Sequence, residues 1–162
     1  TGLTKGALYH HFGSKLELGY AVVDGPLRDY VNDWWLNPLE GKDDPLQALA
    51  GVIAARLKKD VPEMLSRGCP LNNLAQEMAP VDDGFRNHIE ILYRDWRRGL
   101  ARALRHGQHA GSVDTAIEVE ATAAFIIAAL QGAFSQAKNA QDLGVFHQCL
   151  TGLNEYLNGL RP

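Results

Sequence analysis

Cysteine is scarce in this chain: Cys69 and Cys149 are the only two in 162 residues. One pair builds no disulfide framework, so the fold must rest on a hydrophobic core, and a reducing cytoplasm is its simplest setting. Long apolar runs are also missing. The richest stretch, Ala121 to Leu130, is interrupted by Thr122 and falls well short of the ~20 residues that cross a bilayer, so no membrane partner is expected. No segment alternates polar and apolar residues as a half-buried strand would. Glycine-rich phosphate loops, paired zinc cysteines and nucleophile elbows are absent as well. None of the six histidines sits beside a credible nucleophile. His106 and His109 could chelate a metal, yet a helix C-terminus explains them equally well. The expectation is therefore no cofactor, no metal and no enzymatic activity, with a small-molecule enzyme on a helical fold kept as a rival.

Apolar residues make up 46% of the chain and charged residues 22%, the composition of one ordinary globular domain. Charge is distributed unevenly. Residues 1 to 15 contain Lys5 and Lys15 and no acid, so with −3 overall the remaining residues carry −5. A basic tip on an acidic body suits a protein that meets phosphate only at its tip.

That tip reads Thr-Lys-Gly-Ala-Leu-Tyr-His-His-Phe-Gly-Ser-Lys from Thr4 to Lys15. Thr4 can cap a short helix, Leu8 and Phe12 share a face four residues apart, and Gly13 ends it. Ser14 with Glu17 forms a capping box that starts the next helix. This string resembles the recognition helix, and the start of the connecting helix, of TetR-type transcriptional regulators. The resemblance implies that Lys5, Gly6, Tyr9, His10 and His11 meet bases or phosphates in the major groove and that Lys15 clamps a phosphate. Leu8 and Phe12 match packing positions. The family places two helices ahead of this one, so the expectation is a truncated helix-turn-helix over residues 1–15. A helical ligand-binding and dimerisation domain then follows over 16–162.

The remaining pattern is all-α. A long helix runs from Ser14 to about Trp35, with a kink or break expected at Pro26. Asn37 to Asp44 is a loop. Asp44 and Pro45 open a helix carrying Leu46, Leu49, Ile53 and Leu57. After a turn at Ser66 to Pro70, a short helix covers Leu71 to Met78. Gly-Cys-Pro-Leu-Asn-Asn-Leu-Ala-Gln-Glu in this region is similar to a segment in one branch of TetR-type ligand domains. Cys69 there is read as a small buried filler rather than a reactive thiol.

From Asp82 to about His109, Phe85, Ile89, Leu92, Trp96, Leu100 and Leu104 form one apolar stripe. Arg94, Arg97, Arg98, Arg102 and Arg105 cover other faces, read as a solvated face because Glu90 and Asp95 intersperse them. Asp114 is expected to cap a helix reaching Asn139 that is apolar all round at its centre, hence buried on every side. The last helix, from Asp142, carries an apolar seam at coiled-coil spacing.

This seam predicts a dimer interface from Ala124, Ala128 and Gly132 on one helix and Phe146, Leu150, Leu153 and Leu157 on the last, as the resemblance also implies. The partners implied are a second copy of the chain, a palindromic double-stranded DNA operator and a small apolar or aromatic effector. For the effector, Trp34, Met64, Asn73 and Met78 are candidate contacts, together with His88, Tyr93, Trp96 and Phe125. The function implied is a ligand-responsive regulator, in most members a repressor. The alternative is a helical protein-interaction or small-molecule-binding module with no DNA role.

Overall fold

The structure, a computed structural model, describes residues 12–59 and 65–162. Among these residues the chain is helix and turn, with no strand.

The connecting helix starts as α1 (Lys15–Val22), passes through a π-helical turn (Val23–Leu27), becomes α2 (Arg28–Val31), and ends in a second π turn (Asn32–Leu36) and a short 3₁₀ turn (Asn37–Leu39). Its start follows the expected capping box in one half: the Ser14 hydroxyl accepts from the Glu17 N–H, while the Glu17 carboxylate accepts from the Gly13 N–H, one residue before the cap, at 2.8 Å. The expected kink at Pro26 takes the form of a π turn. Proline lacks an N–H and crowds the carbonyl four residues back, and a wider turn relieves both. The π turns also serve packing. Val23, Leu27, Val31, Trp35 and Leu39 are all buried at a strict four-residue repeat. In a pure α-helix, at 3.6 residues per turn, that repeat drifts by about 40° at each step. Two over-wide turns pull the stripe back onto one face.

Helix α3 (Pro45–Lys59) opens on Asp44, whose carboxylate accepts from the Gln47 N–H at 2.9 Å. Helix α4 (Pro70–Met78) starts at buried Cys69. Helix α5 (Asp83–Ala110) is capped by Asp82 and ends at Gly111, whose φ of 79° is the left-handed stop that glycine adopts at no steric cost. Its apolar stripe is buried as the spacing requires, from Phe85 to Leu104. Asp114 caps only a turn, through the Ala116 N–H. The next helix, α6 (Val119–Ala140), begins five residues later under Glu118, and α7 (Leu143–Asn158) follows with Asp142 as its cap.

Helix α6 packs between α5 and α7 and is not buried on every side. Ala121, Phe125 and Ala128 face outward, and Phe125 is 50% exposed. An apolar circumference shows that polar contacts are not needed, not that every side is covered inside one chain.

Candidate functional site

Lys5, Gly6, Tyr9, His10 and His11 lie outside the described residues, as does Met64. Lys15 is the first residue of α1, exposed beside the Ser14 cap. A cation there stands where backbone N–H groups also point at an anion.

From this tip, α1 and the π turn that follows are fastened to the first turns of α5. The Tyr20 hydroxyl donates to Asp82 Oδ1 at 2.8 Å, and its ring meets Phe85 edge-on at 5.0 Å and stacks on His88 at 4.8 Å. His88 Nδ1 lies 2.8 Å from Asp24, and Arg28 donates to Asp95 at 2.7 Å. The hydrogen bond to Asp82 raises the Tyr20 hydroxyl above its ordinary range. Asp82 falls below the carboxylate range, first because the Phe85 N–H donates to it and then because Tyr20 does. The mesh is close: a Cβ on Gly19 would sit 2.3 Å from Phe85 Cζ, and one on Gly84 2.2 Å from the Tyr20 hydroxyl. These contacts tie α1 and the turns that follow it to α5.

Two turns further along α5 lies a polar pair in apolar surroundings. The Tyr93 hydroxyl donates to Gln131 Oε1 of α6 at 2.8 Å, and burial pushes this hydroxyl up to about 12. Gln131 Nε2 is buried and finds no hydrogen-bond partner among the described residues. Tyr93 stacks on Trp96 at 6.4 Å, and Trp96 leans on Trp35 at 5.8 Å, which meets Phe134. A buried amide donor left without an acceptor costs about 1–3 kcal/mol, and such a group is where an incoming molecule gains most by supplying one.

The remaining expected effector contacts separate into distinct places. Trp34 and Met78 are half-buried at the edge of the core. Asn73 is engaged, donating to the Arg67 carbonyl at 2.5 Å and accepting from Lys138 Nζ at 3.2 Å. His88 belongs to the fastening of α1. Phe125 is on the outer face of α6, against Tyr156 at 4.6 Å, and does not converge with Tyr93 and Trp96. Gln131 and Trp35 were missed by sequence reasoning. The one available signal was a lone amide directly after the apolar run ending at Leu130.

The expected dimer residues also divide. Phe146, Leu150, Leu153 and Leu157 are 2–4% exposed and belong to the chain's own core. Their seam packs against α6 of the same chain, the strongest contact of α7, and of the four Leu153 also lines the open groove beside α6. Ala128 is exposed and Gly132 faces open space, while half-buried Ala124 lines a different cleft, against α5. The open surface of this pair is a groove of about 300 Å³ lined by Phe125, Ala129, Gly132, Cys149, Gly152 and Tyr156.

The model of the family described as "Tetracyclin repressor-like, C-terminal domain" matches residues 44–153. The chain belongs to the TetR family. An HTH-type transcriptional regulator from the lacX 3′ region of Lactococcus lactis subsp. lactis is 30% identical over 152 residues, covering 90% of this chain and 72% of the relative. The HTH-type transcriptional repressor DhaR of Mycobacterium sp. (strain GP1) is 26% identical over 153 residues, covering 94% of this chain and 75% of DhaR. Among solved structures, the TetR-family regulator of Cytophaga hutchinsonii superposes with a TM-score of 0.82 at 19% identity, covering 99% of this chain and 80% of that one. The regulatory protein TetR from Rhodobacter sphaeroides gives 0.79 at 24% identity, over 94% and 81%. These two structures share the fold. The chain is thus a TetR-family transcriptional regulator, and these two relatives are named as an HTH-type transcriptional regulator and an HTH-type transcriptional repressor. No helix among the described residues is long and apolar enough to cross a membrane.

Proposed function

We propose that this TetR-family chain acts as a homodimeric repressor that leaves a palindromic operator when a small, largely apolar or aromatic molecule settles beside Tyr93 and Gln131. The observation that carries this reading is the buried, unpartnered Gln131 Nε2 on a side chain that accepts from Tyr93, whose ring stacks on Trp96. Aromatic faces supply most of the binding energy, and one hydroxyl and one amide orient the ligand, the usual balance in small-molecule sites. His88 is five residues before Tyr93 on α5, about 7.5 Å along the axis. A ligand that displaces α5 therefore acts directly on the Tyr20, Asp24 and Arg28 contacts that hold the connecting helix. It shifts the population away from the operator-bound form only as far as it prefers the other form. Two copies would join through the Phe125 groove, each projecting ring lying over the small residues of the other chain. A twofold pair places its tips about 34 Å apart, one turn of DNA.

The test is release of the full-length protein from its operator, read by fluorescence anisotropy against a panel of small aromatic and apolar compounds. One or more compounds should release it, and Gln131→Leu should blunt release while leaving DNA affinity unchanged. Release that is indifferent to both Q131L and Y93F would contradict this placement of the effector.

A further inference from the structure

Arg94, Arg97, Arg98, Arg102 and Arg105 from α5, with Glu120 from α6, line a cleft of about 580 Å³. It lies apart from the groove around Phe125, and no part of the reading above uses it. By spacing alone these arginines read as a solvated face neutralised by Glu90 and Asp95. The fold takes Asp95 away from them and leaves Glu90 to one of the five. Asp95 is held by Arg28 of the connecting helix at 2.7 Å, Glu90 is held by Arg97 at 2.5 Å, and Glu120 pairs with Arg105. Arg94, Arg98 and Arg102 keep no acidic partner among the described residues.

These three repeat every four residues, so their guanidinium groups share one side of α5 over about 12 Å. Like charges at that spacing repel and destabilise a helix. They do so here in a chain of net charge −3, so the cluster is a local feature rather than part of a basic surface. Buried Ala101 and half-buried Ala124 reach the same cleft and leave room above the helices. Among the described residues no aromatic side chain lines it, so they supply none of the stacking that single-stranded nucleic acid requires. The volume is in the range of small-molecule sites. Planar guanidinium forks match phosphate and carboxylate oxygens two at a time.

We propose that the cleft between α5 and α6 binds a small polyanion, a molecule with two or more phosphate or carboxylate groups, held by Arg94, Arg98 and Arg102. The two anion chemistries are separable by probe. Isothermal titration of the full-length protein with inorganic pyrophosphate, and separately with citrate, should give saturable binding of one anion per chain. Binding of pyrophosphate alone assigns a phosphate-bearing ligand, binding of citrate alone a polycarboxylate, and binding of both the shared chemistry. Arg98→Gln should weaken binding about tenfold and the R98Q/R102Q double variant about a hundredfold, on the scale of lost charge-assisted hydrogen bonds. Circular dichroism should be unchanged, because both side chains are exposed. Arg86, paired with Asp83 at 2.7 Å outside the cleft, is the control, and R86Q should bind like the parent. Three results would overturn the proposal. They are no saturable binding at millimolar anion, equal losses in R86Q and R98Q, or a double variant that weakens dimerisation while leaving anion binding intact.

Discussion

Gly19 and Gly51 are both helical glycines, and alanine should have opposite effects at the two. In α3, a Cβ on exposed Gly51 meets nothing within 4 Å. Gly51→Ala therefore collects the propensity gain alone, about 1 kcal/mol. In α1, a Cβ on Gly19 lies 2.3 Å from Cζ and 3.1 Å from Cε1 of Phe85, whose ring is 6% exposed. That ring is further confined by Tyr20 at 5.0 Å, so it cannot swing aside freely. Overpacking of this kind costs about 1–3 kcal/mol. Set against the same gain of about 1 kcal/mol, Gly19→Ala should lose up to about 2 kcal/mol. For a chain of this size each kcal/mol moves the melting midpoint by about 2–4 °C. G51A should raise the midpoint by a few degrees, and G19A should lower it by up to about 8 °C. Differential scanning calorimetry measures both. In the full-length protein, G19A should also weaken operator binding, because α1 must lift from α5. If G19A raises the midpoint as G51A does, the close mesh between α1 and α5 is refuted, and with it the route from α5 to the tip.

Three other outcomes follow from the same contacts. Tyr93→Phe leaves Gln131 with neither hydrogen bond and should cost about 1–3 kcal/mol in urea unfolding, whereas the Y93F/Q131L pair, with both polar partners gone, should recover most of it. Phe125→Asp puts a charge in the middle of the groove on α6 and α7, and light scattering should show the full-length protein shifting from dimer to monomer with little change in helicity. Asp82 has a folded pKa below its ordinary 3.8, so its stabilising contribution is complete above that value and is lost as pH falls through the lower folded value. Asp82→Ala should therefore flatten the acid limb of a stability profile taken from about pH 5 to about pH 2, and an unchanged limb would exclude this cap as an acid-sensitive contact.

Local chemistry carried much of the fold. Asp44, Asp82 and Asp142 each cap the helix that their spacing announced, and the stripe from Phe85 to Leu104 is buried as its period required. These signals lie within a few residues of what they decide. The misreadings share the opposite property. The period of Phe146, Leu150, Leu153 and Leu157 identifies a buried face, but the cover, α6 of the same chain or a second copy, is chosen by tertiary packing. The α5 arginines Arg94, Arg98, Arg102 and Arg105 are solvated as expected, but Arg28, 67 residues away, takes Asp95 from that face. Pro26 announced a disturbance, and only the four-residue repeat of Val23 to Leu39 explains why the helix widens there instead of breaking. At the candidate effector site Tyr93 and Trp96 were legible as aromatics on α5. Gln131 was not, because a single amide after an apolar run acquires meaning only when Tyr93 is seen to reach it.

The central claim is that this helical body belongs to a twofold DNA-binding regulator. Sedimentation of the full-length protein with a palindromic operator duplex tests it most directly. The account predicts two chains bound per duplex, with affinity falling steeply as salt rises because the contacts are to phosphate. One chain per duplex, or no binding at low salt, would contradict it.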